Sequence, residues 1–201
     1  MVADGIYYAL ALTVAGLGVS YFTAIPFGVP LFILAAFCLY FFRDPDRTAP
    51  TGRVAVSPAD GKVVAIAADS PTTTRISIFL NIFDVHVNRS PIAGKIAAVE
   101  YRRGKFLVAS RDLASVQNEQ NVVTVEGQDG VRVVFKQIAG LIARRIVFTK
   151  RRGETVAAGE RVGLIKFGSR VDVLFGPEWE IAVQRGERVS AGSGVLARRK
   201  G

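Results

Sequence analysis

Two kinds of hydrophobic pattern divide the chain. Residues 6–25 run without a formal charge, and 27–42 form a second uncharged run after Pro26. At 1.5 Å per residue, the first run matches the roughly 30 Å of a bilayer's hydrocarbon core, and the second is short for a full crossing. No basic segment precedes the first run, and it is too long for the apolar part of a signal peptide. The pattern predicts a membrane-anchoring helical hairpin over 1–42, a charged linker with two prolines over 43–53, and a separate domain over 54–201.

Beyond the linker the pattern changes to short runs rich in Val and Ile, separated by Gly-containing turns. These predict strands at 54–57, 61–67, 74–79, 85–88, 94–101, 121–126, 131–138, 145–148, 161–165, 171–175 and 181–183. Gln128-Asp-Gly130, set between two such runs, predicts a hairpin turn. Helical periodicity is weak, with a turn or two expected at most over 138–144. The phrases Gly153-Glu-Thr-Val-Ala-Ala-Gly-Glu160 and Gly186-Glu-Arg-Val-Ser-Ala-Gly192 resemble each other, each placing a turn, a Val and a Gly between strands. The expected fold is mainly β (α+β), a compact barrel- or sandwich-like domain behind the helical hairpin.

Charge changes the picture in one respect. Every one of the 26 Lys and Arg lies beyond residue 42, before which Asp4 is the only charge, so the domain is more basic than the chain's net +9. A basic domain attracts polyanions, and the apolar leader favours an anionic membrane surface over nucleic acid. Arg43 and Arg47 follow the second run directly, which places the domain on the cytoplasmic side by the positive-inside tendency. The Arg198-Arg-Lys200 tail reads as a solvated end. A homo-oligomer is compatible with the sequence.

Composition then limits the chemistry. There is one histidine, His86, and one cysteine, Cys38, which lies inside an apolar run without a disulfide partner. A structural zinc site is therefore not expected, and neither a phosphate-binding loop nor a dinucleotide fingerprint is present. Three phrases remain. Ser57-Pro-Ala-Asp-Gly61 puts Asp60 in a tight turn, where an acid before glycine ordinarily caps the turn. His86 stands in a predicted strand, where a lone histidine is ordinarily a packed residue. Gly168-Ser169 falls where two strands meet, which is ordinarily a bend. Together they supply acid, imidazole and hydroxyl. A serine hydrolase built on Ser169, His86 and Asp60 is one use of them, although the serine lacks the Gly-x-Ser-x-Gly setting. A non-catalytic membrane-anchored β-barrel binding or assembly protein is another reading.

Five phrases in order narrow the choice: Phe41-Phe-Arg-Asp-Pro-Asp-Arg47, Ser57-Pro-Ala-Asp-Gly61, Asp84-Val-His-Val-Asn-Arg-Ser-Pro91, Asn118-Glu-Gln120 and Phe167-Gly-Ser169. Over about 41–183 the chain closely resembles phosphatidylserine decarboxylase, in its short bacterial form. The resemblance implies a proenzyme that breaks its own backbone at Gly168–Ser169, giving a β chain of 1–168 and an α chain of 169–201. It further implies that Ser169 becomes a pyruvoyl cofactor, which condenses with the amine of phosphatidylserine and accepts the electrons released with CO2, yielding phosphatidylethanolamine. Asp60 and His86 are then the matched acid–base candidates, and Arg89 is a candidate contact for the lipid phosphate. Longer members carry a second histidine where this chain has Arg89, so the self-cleavage base falls to His86 or to water.

Overall fold

The computed structural model describes residues 2–109, 113–141, 145–166 and 169–201. It separates into two units, Met1–Asp46 and Arg47–Gly201.

The first unit is a helical pair, α1 (Ala3–Phe22) and α2 (Ile25–Phe41). The chain turns at Thr23 and Ala24, and Pro26 sits in the first turn of α2, where a missing N–H costs no helical bond. The short turn makes the helices antiparallel, and small residues let their backbones approach. A Cβ on Gly28 would come within 2.5 Å of the Gly16 carbonyl oxygen. The far ends are joined by the Val2 N–H, which donates to the Phe42 carbonyl at 3.0 Å. At 20 residues α1 is long and apolar enough to cross a membrane; α2, at 17, is shorter.

The second unit is built on strands. In chain order these begin with β1 (Val54–Val56), β2 (Gly61–Ser70), β3 (Thr73–Leu80), β4 (Val87–Arg89), β5 (Gly94–Arg102), β6 (Gln120–Glu126) and β7 (Arg132–Ile138). They continue with β8 (Arg145–Phe148), β9 (Thr155–Val156), β10 (Arg161–Lys166), β11 (Ser169–Phe175), β12 (Trp179–Ile181), β13 (Arg188–Val189) and β14 (Val195–Arg199). An eight-stranded sheet has the order β13-β2-β3-β11-β7-β6-β5-β9, and two three-stranded sheets run β1-β14-β12 and β4-β10-β8. One hydrophobic core draws residues from all three: Ile78, Val123, Phe135 and Val171 from the large sheet, Ala55 and Leu196 from one small sheet, Val162 and Ile165 from the other. The fold is thus mainly β and sandwich-like.

The sheet order is a palindrome, and the hydrogen bonds repeat with it. Ser57-Pro-Ala-Asp-Gly61 before β2 has a counterpart in Ser90-Pro-Ile-Ala-Gly94 before β5. In each turn the serine hydroxyl donates to the carbonyl two residues on, at 2.6 and 2.8 Å. The Gly192 N–H donates to Ser57 O and the Gly159 N–H to Ser90 O, both at 2.8 Å. Each closing glycine is forced by close approach. A Cβ on Gly61 would stand 2.3 Å from the Phe79 carbonyl oxygen, and one on Gly94 2.2 Å from that of Glu126. The unit is therefore two copies of one motif, the second inserted into the first. In the second copy, β6 and β7 are joined by a short turn in which the Gly127 N–H donates to Val131 O. In the first copy, the paired strands β3 and β11 are joined by the whole of residues 81–168.

Several sequence expectations need adjustment. The strand placed at 181–183 forms as β12, Trp179–Ile181, and β9, β13 and β14 were not among the expected strands. The strand placed at 85–88 forms as β4, Val87–Arg89, so His86 lies in the turn before it. Residues 139–141, in the segment expected to be helical, are not helical, and 142–144 lie outside the described residues. A short helix, α3 (Ala114–Gln117), was not foreseen. The Arg198-Arg-Lys200 tail is no loose end, because Arg198 and Arg199 belong to β14 and Arg199 pairs with Asp129.

Candidate active site

Strand β11 starts at Ser169, directly opposite Leu80 at the end of β3. Alternation along the strand turns Ser169, Val171 and Val173 to the core and Arg170 and Asp172 to the other face. Ser169 is fully buried, and its Oγ has no hydrogen-bond partner among the described residues. An unpaired buried hydroxyl costs about 1–3 kcal/mol, so such groups are rare and point to function.

His86 is brought to the same place by a second pairing, in which its carbonyl accepts the Ile165 N–H of β10 at 3.2 Å. The two ends of the short connection from Leu80 to His86 are thus held by neighbouring strands, Leu80 paired to Ser169 of β11 and His86 bonded to Ile165 of β10. The imidazole is buried, and its Nδ1 lies 2.9 Å from the Asp84 carbonyl oxygen. A carbonyl can only accept, so Nδ1 donates this hydrogen bond, and Nε2 is the nitrogen that can act as a base when the ring is neutral. Asp84 holds this turn in shape: its carboxylate accepts the Asn81 N–H at 2.9 Å and pairs with Arg188 on β13.

Asp60 stands in the turn before β2, at the same end of the sheet as Ser169. Its carboxylate accepts the Ala191 N–H at 2.7 Å and pairs with Arg47 at 3.2 Å. The duplicated fold gives a measure of its role: the equivalent position of the second copy holds Ala93, so the turn itself does not require an acid. Arg89 is buried on β4 and donates to the Gly159 carbonyl at 3.0 Å. Phe167 and Gly168 lie outside the described residues.

Two polar groups flank the serine that sequence reasoning did not single out. On the core side, a buried amide chain runs from Asn121 Nδ2 to Gln137 Oε1 (3.0 Å) and from Gln137 Nε2 to Asn88 Oδ1 (2.9 Å). On the opposite face Arg170 and Asp172 form a fully buried ion pair at 2.7 Å. Arg170 also donates to Ser77 Oγ at 2.6 Å, and Asp172 accepts from Ser115 Oγ of α3 at 2.6 Å. The only sequence signal for either group was a polar residue inside an apolar strand, which reads equally well as a solvated face.

The fold and this site define a class: a mainly β domain that follows an apolar helical pair in the chain, with a buried serine hydroxyl at the start of β11 and a buried histidine bonded to the preceding strand β10. A family model described as phosphatidylserine decarboxylase matches residues 34–197, and the chain belongs to that family. It is 66% identical over 199 residues to the phosphatidylserine decarboxylase proenzyme of Solibacter usitatus, covering 99% of this chain and 97% of that protein. The proenzyme of Magnetococcus marinus is 47% identical over 85% of this chain and 82% of its own length. That of Erythrobacter litoralis is 44% identical over 97% and 86%.

Proposed function

We propose that this chain is a proenzyme that cuts itself before Ser169 and then decarboxylates phosphatidylserine to phosphatidylethanolamine. The observation that supports this reading is the buried, unpartnered Ser169 hydroxyl at the mouth of the Leu80–His86 turn. A hydroxyl kept without a partner fits a group that is to be consumed, so the residue suits conversion to a pyruvoyl group.

In this reading Ser169 Oγ attacks the carbonyl carbon of residue 168 while its proton passes to Nε2 of His86. The amide nitrogen takes a proton as the C–N bond breaks, leaving an ester. Elimination expels the carboxylate of residue 168 and leaves dehydroalanine at 169. Tautomerisation and hydrolysis release ammonia and leave a pyruvoyl group at the head of 169–201. That group supplies a conjugated carbonyl which holds the substrate amine and accepts the electron pair left when CO2 departs. His86 returns a proton to the product Cα. Asp60 is assigned to charge stabilisation of the imidazole and Arg89 to the lipid phosphate. The helical pair anchors the enzyme in the membrane, with the β unit on the cytoplasmic side.

Ser169→Ala should leave one full-length chain on a denaturing gel and release no CO2 from phosphatidylserine. His86→Ala should slow scission, decarboxylation or both. Two normal fragments from Ser169→Ala would sink the proposal.

A further inference from the structure

The exposed apolar side chains of the β unit are not scattered. Leu80, Ser169, Ile138, Gln120 and Arg102 are aligned at one end of the large sheet by the pairings of β3, β11, β7, β6 and β5. Three connections leave that end: 81–86 after β3, 103–119 between β5 and β6, and the segment that starts at Ala139 after β7. Outside β5, every exposed large apolar residue described in this unit lies on them: Ile82, Phe83, Val108, Leu113, Val116 and Leu141. Val116 is 75% exposed and Phe83 63%, and apolar side chains gathered at one place on a surface mark an interaction site.

Described residues of these connections are tied to one another and to the sheet. Asn118 joins two of them, accepting the Leu107 N–H at 2.9 Å and donating to the Leu107 and Ala139 carbonyls at 2.8 Å. Ser115 ties α3 to Asp172 on β11, and the Asp84–Arg188 pair secures the third connection to β13. The duplicated fold again serves as a control. At the opposite end the corresponding turns carry Pro71, Thr72, Gln128 and Asp129, so the architecture itself does not demand exposed apolar residues. Cations accompany them: Arg103, Lys105 and Arg145 are all exposed.

We infer that this end of the sheet is a bilayer-docking face, in which the apolar side chains enter the headgroup layer and Arg103, Lys105 and Arg145 meet anionic headgroups. The occupant is a lipid surface, because exposed apolar side chains accompanied by exposed cations suit an anionic interface, and because Ser169 lies at the same end of the sheet. The inference rests on the decarboxylase reading for its purpose. Docking here would let a headgroup pass to the buried serine without its acyl chains leaving the bilayer.

The test uses the full-length protein in nanodiscs of mixed phosphatidylserine and phosphatidylcholine. A Cys38→Ala background carries one environment-sensitive fluorophore, at Val116→Cys, with Leu113→Cys as a second position and Gln128→Cys as the control at the far end. Labels at 113 and 116 should be quenched by doxyl lipids and lose most of their quenching by aqueous iodide, while the label at 128 behaves oppositely. Arg103→Glu with Lys105→Glu should weaken the lipid quenching. Labels at 113 and 116 as wet as the label at 128 would overturn the inference. So would shielding that appears without lipid and grows with protein concentration, which would assign the face to a second copy. CO2 release, measured in parallel, separates the two claims: wet labels on an active enzyme sink the docking face alone, and shielded labels on an inert chain sink the decarboxylase alone.

Discussion

Neighbouring residues of β11 carry opposite instructions. Ser169 faces the core with an unsatisfied hydroxyl, whereas Arg170 and Asp172, on the other face, form a buried ion pair that also bonds to Ser77 and Ser115. Removing one member of a buried ion pair strands the other, at about 3–5 kcal/mol. Asp172→Ala should therefore lower the urea midpoint by a corresponding amount without changing the slope. Ser169→Ala removes an unpaired polar atom and should be neutral or stabilising by about 1 kcal/mol. A cost for Asp172→Ala no larger than that of a surface substitution, within about 0.5 kcal/mol, would remove the pair from the account. Ser169 was legible in the sequence because a five-phrase family resemblance ended on it. Asp172 was not, because Ser-Arg-Val-Asp has the alternation of a half-solvated strand.

Among the elements, short connections do more than the strands they join. Asn118 closes three hydrogen bonds to backbone groups of two connections, so Asn118→Ala should leave buried backbone groups without partners, at about 1–3 kcal/mol. The loss should be local. Amide exchange should speed up over 103–119, while the central strands β3, β11 and β7 keep their protection, and uniform loss of protection would argue against a local role. Most strands and the Gln128-Asp-Gly130 turn were legible from alternation and turn chemistry, whereas the short β9 and β13, the terminal β14 and the four-residue α3 set up no clear period. The phrase Asn118-Glu-Gln120 was visible only as a family signature; its physical task is to tie down the rim of the site.

Across the whole molecule, the insertion of one copy into the other explains where the chain can be cut. The first copy consists of residues on both sides of 81–168, and the proposed scission at 168–169 falls at the return from the inserted copy. Afterwards β11 would still lie between β3 and β7, and β14 between β1 and β12. The pieces 1–168 and 169–201 should therefore elute together in mild detergent and separate only in denaturant. Spontaneous loss of the small piece would show that the pairing does not hold them.

Local chemistry by itself determined the apolar leader, most of the short strands and the hairpin turn, because hydropathy period and turn residues act over a few positions, and the family resemblance singled out Asp60, His86 and Ser169 as candidates. Only the tertiary structure decided that His86 precedes its strand, that Arg170 and Asp172 are buried, that Asp60 faces Arg47, and that the exposed apolar residues gather at one end of the sheet. Each of these depends on which distant strand lies alongside. In a duplicated fold with one copy inserted in the other, partners such as Leu80 and Ser169 are separated by the length of a whole copy, beyond the reach of any local pattern.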